Sequence, residues 1–163
     1  MNLISIGKIV NTHGIKGEVR LLSNFAEKKL IFKKGFPVYI GEEKQKEIIQ
    51  TYRHHKQFDM LTFEGTSDIN EVLKYKGKKV YINKDDLHLK EEEYLLEDLI
   101  GMKIISKGEE LGIVNDILDT PAGKLLSVAF AKNYYIPYNN VYIKQVDARK
   151  KEIHGENIKD LIL

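Results

Sequence analysis

The sequence predicts a mainly β protein built of two small β-barrel domains, and three observations carry that prediction. Short apolar runs with strand-like alternation recur along the whole chain, separated by clusters of turn-forming residues. A polar, charged stretch at 85–93, KDDLHLKEEE with its flanking lysine, interrupts them near the middle. Charge also divides there: residues 1–90 hold 17 Lys and Arg against 11 Asp and Glu, whereas 91–163 hold 9 against 13. The expected organisation is a first barrel over 1–84, a linker over 85–93 and a second barrel over 94–163.

The first barrel begins with strands at Leu3–Val10 and Glu18–Asn24, joined by a turn that holds Asn11, His13, Gly14, Lys16 and Gly17. Pro37–Ile40 reads as a strand ended by Gly41. Lys46–Arg53 is expected to pair with Phe58–Phe63 across His54-His55-Lys56-Gln57, and Lys79–Asn83 closes the set. One short helix is expected between the last two strands. Ser67 or Asp68 can cap it, Asp68 and Glu71 have capping-box spacing, Ile69, Val72 and Leu73 share a face, and Gly77 stops it. In the second barrel, strands are expected at Gly101–Ser106, Glu110–Asp119, Leu125–Ala131, Tyr134–Tyr138, Val141–Val146 and Glu152–His154. Turns fall at Lys107-Gly108, Thr120-Pro121-Ala122-Gly123 and Asn139-Asn140. The apolar tail of Glu156–Leu163 is a candidate short C-terminal helix.

With 163 residues, 42% of them hydrophobic, the chain can bury two small cores and is not disordered. The absence of cysteine excludes disulfides, thiol nucleophiles and thiolate zinc sites. No signal peptide is evident, and no apolar run approaches the ~18–20 residues that span a bilayer. A cytoplasmic protein without membrane association is expected. The basic half suits a polyanion and the acidic half a basic protein.

Signatures of catalysis are missing. The chain has no GxxxxGK[ST] loop, GxGxxG fingerprint, HExxH pair or G-x-S-x-G elbow. His54 and His55, as neighbours on a strand, face opposite ways and are poorly placed to share a metal ion. Asp85-Asp86 and Glu91-Glu92-Glu93 read as solvated charge. No catalytic residue, metal ligand or cofactor is assigned.

The β-turn after the first strand carries the strongest chemical signal. Gly14-Ile15-Lys16-Gly17 matches the GXXG loop of KH domains, yet that loop joins helices and this one lies between strands. Lys8, His13, Lys16 and Arg20 are the candidate RNA contacts, with Gly14 and Gly17 as structural turn residues that let a phosphate oxygen approach the backbone. The alternative is a tight turn whose glycines only supply positive φ. Tyr134, Tyr135 and Tyr138 similarly admit two readings, barrel packing or an exposed contact patch.

The segment from Gly7 to Arg20, GKIVNTHGIKGEVR, resembles the N-terminal signature of the bacterial RimM family of ribosome maturation factors. Phe63-Glu64-Gly65 and the following NEVLKYKGKKVYI are similar to that family's next helix and strand. Asp98-Leu99-Ile100-Gly101, Gly108 to Gly112, Asp119-Thr120-Pro121 with Leu125 to Val128, Tyr135 to Tyr138, and Val146-Asp147 resemble its PRC-barrel domain. The resemblance spans nearly the whole chain in the right order. It implies a PRC-barrel-like second domain and a non-catalytic, monomeric factor. Such a factor binds the free small (30S) ribosomal subunit or its precursor and assists head maturation and 16S rRNA processing. The implied partners are the nineteenth small-subunit ribosomal protein and the small subunit with its rRNA. Where the family often has Tyr-Tyr before the Asp-Leu-x-Gly motif, this chain has Tyr94-Leu95, the candidate ribosomal-protein contact. An RNA-binding β-barrel acting outside ribosome assembly is the alternative.

Overall fold

The computed structural model describes residues 1–162, and the chain divides into two compact units, Met1–His88 and Leu89 onward. In the first unit the elements are β1 (Leu3–His13), β2 (Glu18–Leu22), α1 (Lys28–Ile31), β3 (Pro37–Ile40), β4 (Gln45–His55), β5 (Phe58–Phe63), α2 (Ile69–Val72) and β6 (Lys79–Asn83). The six strands close into a barrel in the order β1-β2-β5-β4-β3-β6, and every pairing is antiparallel.

Alternation builds the barrel's inside. Val19 and Leu21 of β2, Val38 and Ile40 of β3, Leu61 and Phe63 of β5, and Val80 and Ile82 of β6 are all buried. Six strands close only if the long ones bend, and bulges supply the bends between Ser5 and Gly7, Ile9 and Asn11, and Ile49 and Thr51. Closure also removes the free sheet edges that would otherwise invite pairing with another chain.

The α1 turn was not legible in sequence. A buried charge holds it: Asp59, fully buried, accepts from Lys28 Nζ of α1 at 2.7 Å and from Tyr52 Oη at 2.7 Å. The exposed His54 contacts the same carboxylate at 3.3 Å. Phe32, just beyond α1, stacks on Tyr52 with ring centroids 5.1 Å apart.

The expected helix is shorter than its pattern. Asp68 caps α2 by accepting from the Asn70 N–H at 2.8 Å, while Glu71 reaches back to the Ser67 N–H at 3.3 Å. After one turn the chain tightens to a 3-10 turn over Leu73–Tyr75. That tightening rotates Leu73 outward, to 47% exposure, and buries Tyr75 in its place. Lys84–Leu87 forms a further 3-10 turn that carries the end of the first barrel into the segment expected to be linker.

The second unit opens with a 3-10 turn at Leu96–Leu99 and continues through β7 (Lys103–Ser106), β8 (Glu109–Thr120), β9 (Gly123–Ala129), β10 (Tyr134–Pro137), β11 (Ile143–Asp147) and β12 (Glu152–Gly155). They form one six-stranded sheet in the order β10-β9-β8-β7-β12-β11, with β12 parallel to β7. All six strands contribute to a single core that includes Ile104, Val114, Leu126, Val128, Ile136 and Ile153, with Ile143 and Val146 packed against it. The tail forms only a 3-10 turn, Lys159–Leu161, whose neighbours Ile158 and Ile162 pack on that core; Leu163 lies outside the described residues. Eight residues are too few to stabilise an α-helix without more packing than this.

Candidate nucleic-acid interface

The register of four strands, β1, β2, β5 and β4, defines the candidate surface. His13 pairs with Glu18 across the β1–β2 turn, and Asn11 pairs with Arg20. Arg20 in turn sits opposite Met60 of β5, and Met60 sits opposite Arg53 of β4. Residues directly opposite one another, and those two apart on a strand, share a face. His13, Glu18, Arg20, Arg53 and His55 therefore lie on one face at one end of the barrel. Met60, between the two arginines, is fully buried.

The turn itself is set by backbone geometry. Gly14 and Gly17 have φ of +68° and +88°, values that an L side chain resists. Beyond an added Cβ at Gly14 there is nothing within 4 Å. A Cβ at Gly17 would lie 3.4 Å from the backbone N and O of Asp68. The Ile69 N–H donates to the Ile15 carbonyl at 3.0 Å, so the α2 entry braces the turn from one side. Lys16 is exposed at its tip.

Arg20 is held rather than free. Its Nη2 donates to His13 Nδ1 at 2.7 Å, its guanidinium lies 5.6 Å from the Phe58 ring centroid, and its Nε is buried without a hydrogen-bond partner. Arg53 grips Glu18 with two bonds, Nε to Oε2 at 2.9 Å and Nη2 to Oε1 at 2.8 Å. The bond from Arg53, and the nearby positive charge, hold the Glu18 carboxyl below the usual range. His55 faces His13 with ring centroids 6.4 Å apart. Loss of hydration first, then the positive charge of Arg53, Lys56, His13 and Arg20, holds the His55 imidazole below its ordinary value.

The structure places His13, Lys16 and Arg20 at the β1–β2 turn end of the barrel, with Lys8 farther along the same strand pair. Lys8 is five positions from His13 along β1, about 16 Å at strand rise. It pairs with Leu22 on one side and with Lys79 on the other. Because Leu22 is two residues from Arg20 on β2, Lys8 is also a diagonal neighbour of Arg20 on the same face. Arg53, His55 and Lys56 were overlooked in sequence. The string RHHK between two pairing strands was visible, but β5 lying beside β2 was not, and that neighbour relation joins the two turns.

In the second unit, Tyr94 is half-buried and its Oη lies 3.0 Å from that of Tyr138. Leu95 is fully buried, which corrects its place in the expected protein contact: it has no side-chain surface to present. Its N–H donates to Asp98 Oδ2 at 2.9 Å instead. Tyr134 is buried, donating to the Leu111 carbonyl at 2.6 Å, and burial pushes its phenol up to about 12. Tyr135, one step along β10, is 52% exposed. The tyrosines thus divide between packing and surface by strand alternation. Among the described residues, no group of three or more His, Asp or Glu could hold a metal ion, and no helix is long and apolar enough to cross a membrane.

Comparison with known proteins decides the family. A model of the RimM N-terminal domain matches residues 4–87, and a model of the PRC-barrel domain matches residues 91–162. The chain belongs to the RimM family. Among its relatives, the ribosome maturation factor RimM of Oceanobacillus iheyensis is 41% identical over 97% of this chain and 96% of that protein. The RimM of an Exiguobacterium species is 36% identical over 94% of this chain and 92% of the relative. A crystal structure of a RimM from Pseudomonas aeruginosa is 23% identical, covers 98% of this chain and all of that one, and has a TM-score of 0.47. The chain is thus a member of the RimM family, whose curated relatives are named ribosome maturation factors. Its two halves are a RimM N-terminal barrel and a PRC-barrel domain.

Proposed function

We propose that this RimM family member binds the free small ribosomal subunit or its precursor and promotes maturation of the head by binding, without catalysis. The observation that carries the reading is the clustered cationic end of the N-terminal barrel, in a chain whose other half is acidic. Lys16 and Arg20, with His13, engage rRNA phosphates in the basic half. Residues 91–163, with 13 acidic against 9 basic residues, face the nineteenth small-subunit ribosomal protein, a partner whose positive charge they complement. Half-buried Tyr94, linked to Tyr138, supplies the aromatic part of that contact. Binding energy of this kind shifts a precursor toward the arrangement to which later proteins dock. The factor acts as a monomer in the cytoplasm.

The test is sucrose-gradient fractionation of cells carrying the tagged chain. Co-migration with free small subunits is expected. Distribution across polysomes, or over soluble fractions together with strong binding to unrelated RNA, favours an RNA-binding barrel acting elsewhere and overturns the proposal. Charge reversal at Lys16 and Arg20 in a folded variant is expected to deplete the small-subunit fraction.

A further inference from the structure

The β1–β2 turn does not hold its cations alone. The β4–β5 hairpin delivers Arg53, His55 and Lys56 to the same end of the barrel, on the face that carries His13 and Arg20. We propose that the two hairpin ends form one binding site for the phosphodiester backbone of RNA, and that His55 takes up a proton as the RNA binds. The proposal rests on the reading of the β1–β2 turn as an RNA contact and extends it to a second hairpin and a protonation step.

Geometry supports a single site. His13 and His55 face each other at 6.4 Å between ring centroids. The Arg53 guanidinium crosses from β4 to Glu18 on β2, which fixes its plane while leaving other N–H donors directed elsewhere. Arg20, anchored on His13 and over Phe58, is likewise pre-oriented. Lys56 projects from the hairpin tip, where φ is +56°. Planar guanidiniums held in place match phosphate oxygens better than flexible ammoniums do.

The groups around His55 explain the proton. It faces His13 of β1, Glu18 and Arg20 of β2, Arg53 of its own strand and Lys56 of the turn; Phe58, its partner on β5, is uncharged. Glu18 is the one carboxylate among them, and Arg53 neutralises it. Reduced hydration and surrounding cations favour neutral imidazole in the free protein. A bound phosphate cancels the repulsion and offers an acceptor, so the imidazolium becomes favoured and donates a charge-assisted bond. The proton comes from solvent and stays on the ring while the RNA is bound.

Titration calorimetry of the intact chain with a short mixed-sequence single-stranded RNA tests both parts. Two buffers of equal pH and different ionisation enthalpy are used, and affinity is followed from pH 8 to pH 6. Net proton uptake and affinity that rises several-fold as pH falls are expected, and His55→Gln abolishes both. Arg53→Gln and Lys56→Asn, the latter chosen because Asn tolerates positive φ, each lower the salt slope by about 0.7. Thermal melting confirms that each variant is folded. Unchanged proton uptake in His55→Gln refutes the coupling. Unchanged salt slopes in Arg53→Gln and Lys56→Asn, with a lowered slope in Lys16→Gln, refute the composite site and leave the single turn. If Lys16→Gln and Arg20→Gln also bind as wild type, the RNA-contact reading itself fails. Equal binding of polyglutamate, with the same dependence on Arg53 and Lys56, assigns the site to acidic protein and overturns the proposal.

Discussion

Replacing Gly14 separates the two roles open to the β1–β2 turn, backbone geometry and phosphate approach. Gly14 is exposed with φ +68°, and an added Cβ meets no protein atom within 4 Å. The cost of Gly14→Ala is therefore left-handed backbone strain alone, about 1–2 kcal/mol. Stiffening of the unfolded chain returns about 0.4–1 kcal/mol, which leaves a net loss of roughly 0–1.6 kcal/mol, about 0.8 kcal/mol at mid-range. At about 4–8 °C per kcal/mol for a unit of this size, the mid-range loss lowers the melting midpoint by roughly 3–6 °C. Gly14→Asn, whose side chain tolerates this conformation, should melt close to wild type. Thermal denaturation followed by circular dichroism measures both. An alanine variant as stable as wild type, or an asparagine variant as damaged as the alanine one, would refute the strain argument. The asparagine variant then reports on function. Because its Cβ meets no protein atom within 4 Å, weaker rRNA binding by this folded variant locates a phosphate at the turn's backbone, and unchanged binding assigns the glycine to geometry alone.

Lys28→Met should destabilise the first unit by about 2–3 kcal/mol in chemical denaturation, because buried Asp59 keeps only Tyr52 and His54. A loss below about 0.5 kcal/mol would show that α1 is not anchored by this charge. Tyr134→Phe removes a buried donor from the Leu111 carbonyl and should cost about 1–2 kcal/mol, seen as a lower urea midpoint with unchanged slope. Lys8→Gln relieves the like-charged pair with Lys79; stability should rise by a few tenths of a kcal/mol, and a fall in the melting midpoint would contradict that. Acid titration of stability should reveal two groups. His55, held below its ordinary 6.5, binds protons less readily folded than unfolded, so stability falls as pH drops through about 6.5, and His55→Gln flattens that slope. Glu18, held below 4.5 by Arg53, stabilises above that pH and loses its contribution as pH falls below it. Arg53→Gln should raise the acid midpoint, and an unmoved midpoint would count against the pair.

The elements read most accurately were those bracketed by turn residues. Pro37–Ile40, Phe58–Phe63 and Lys79–Asn83 are strands at the expected bounds, since local turn chemistry ends them whatever lies alongside. Strand β1 runs on to His13 rather than stopping at Val10, because its pairing with β2 continues to Glu18. A pairing of that kind has no local signal. The α1 turn escaped notice for a related reason: four residues have no period, and its anchor, Asp59, lies 31 positions away from Lys28.

The candidate site divides in the same way. Alternation correctly set His54 and His55 on opposite faces, the first toward Asp59 and the second toward His13. It could not show where Lys8 stands relative to Arg20, since the β1–β2 register and its bulge decide that rather than spacing in the chain. By itself the sequence determined the β class, the charge division, the turn chemistry at Gly14 and Gly17, and the residues that mark the RimM family, because these depend on local residue type and order. Only the tertiary structure decided that β5 lies against β2, which sets Arg53, His55 and Lys56 beside Arg20. Barrel closure makes neighbours of strands about 40 residues apart, and the like charges it gathers become the strongest sign of what the surface binds.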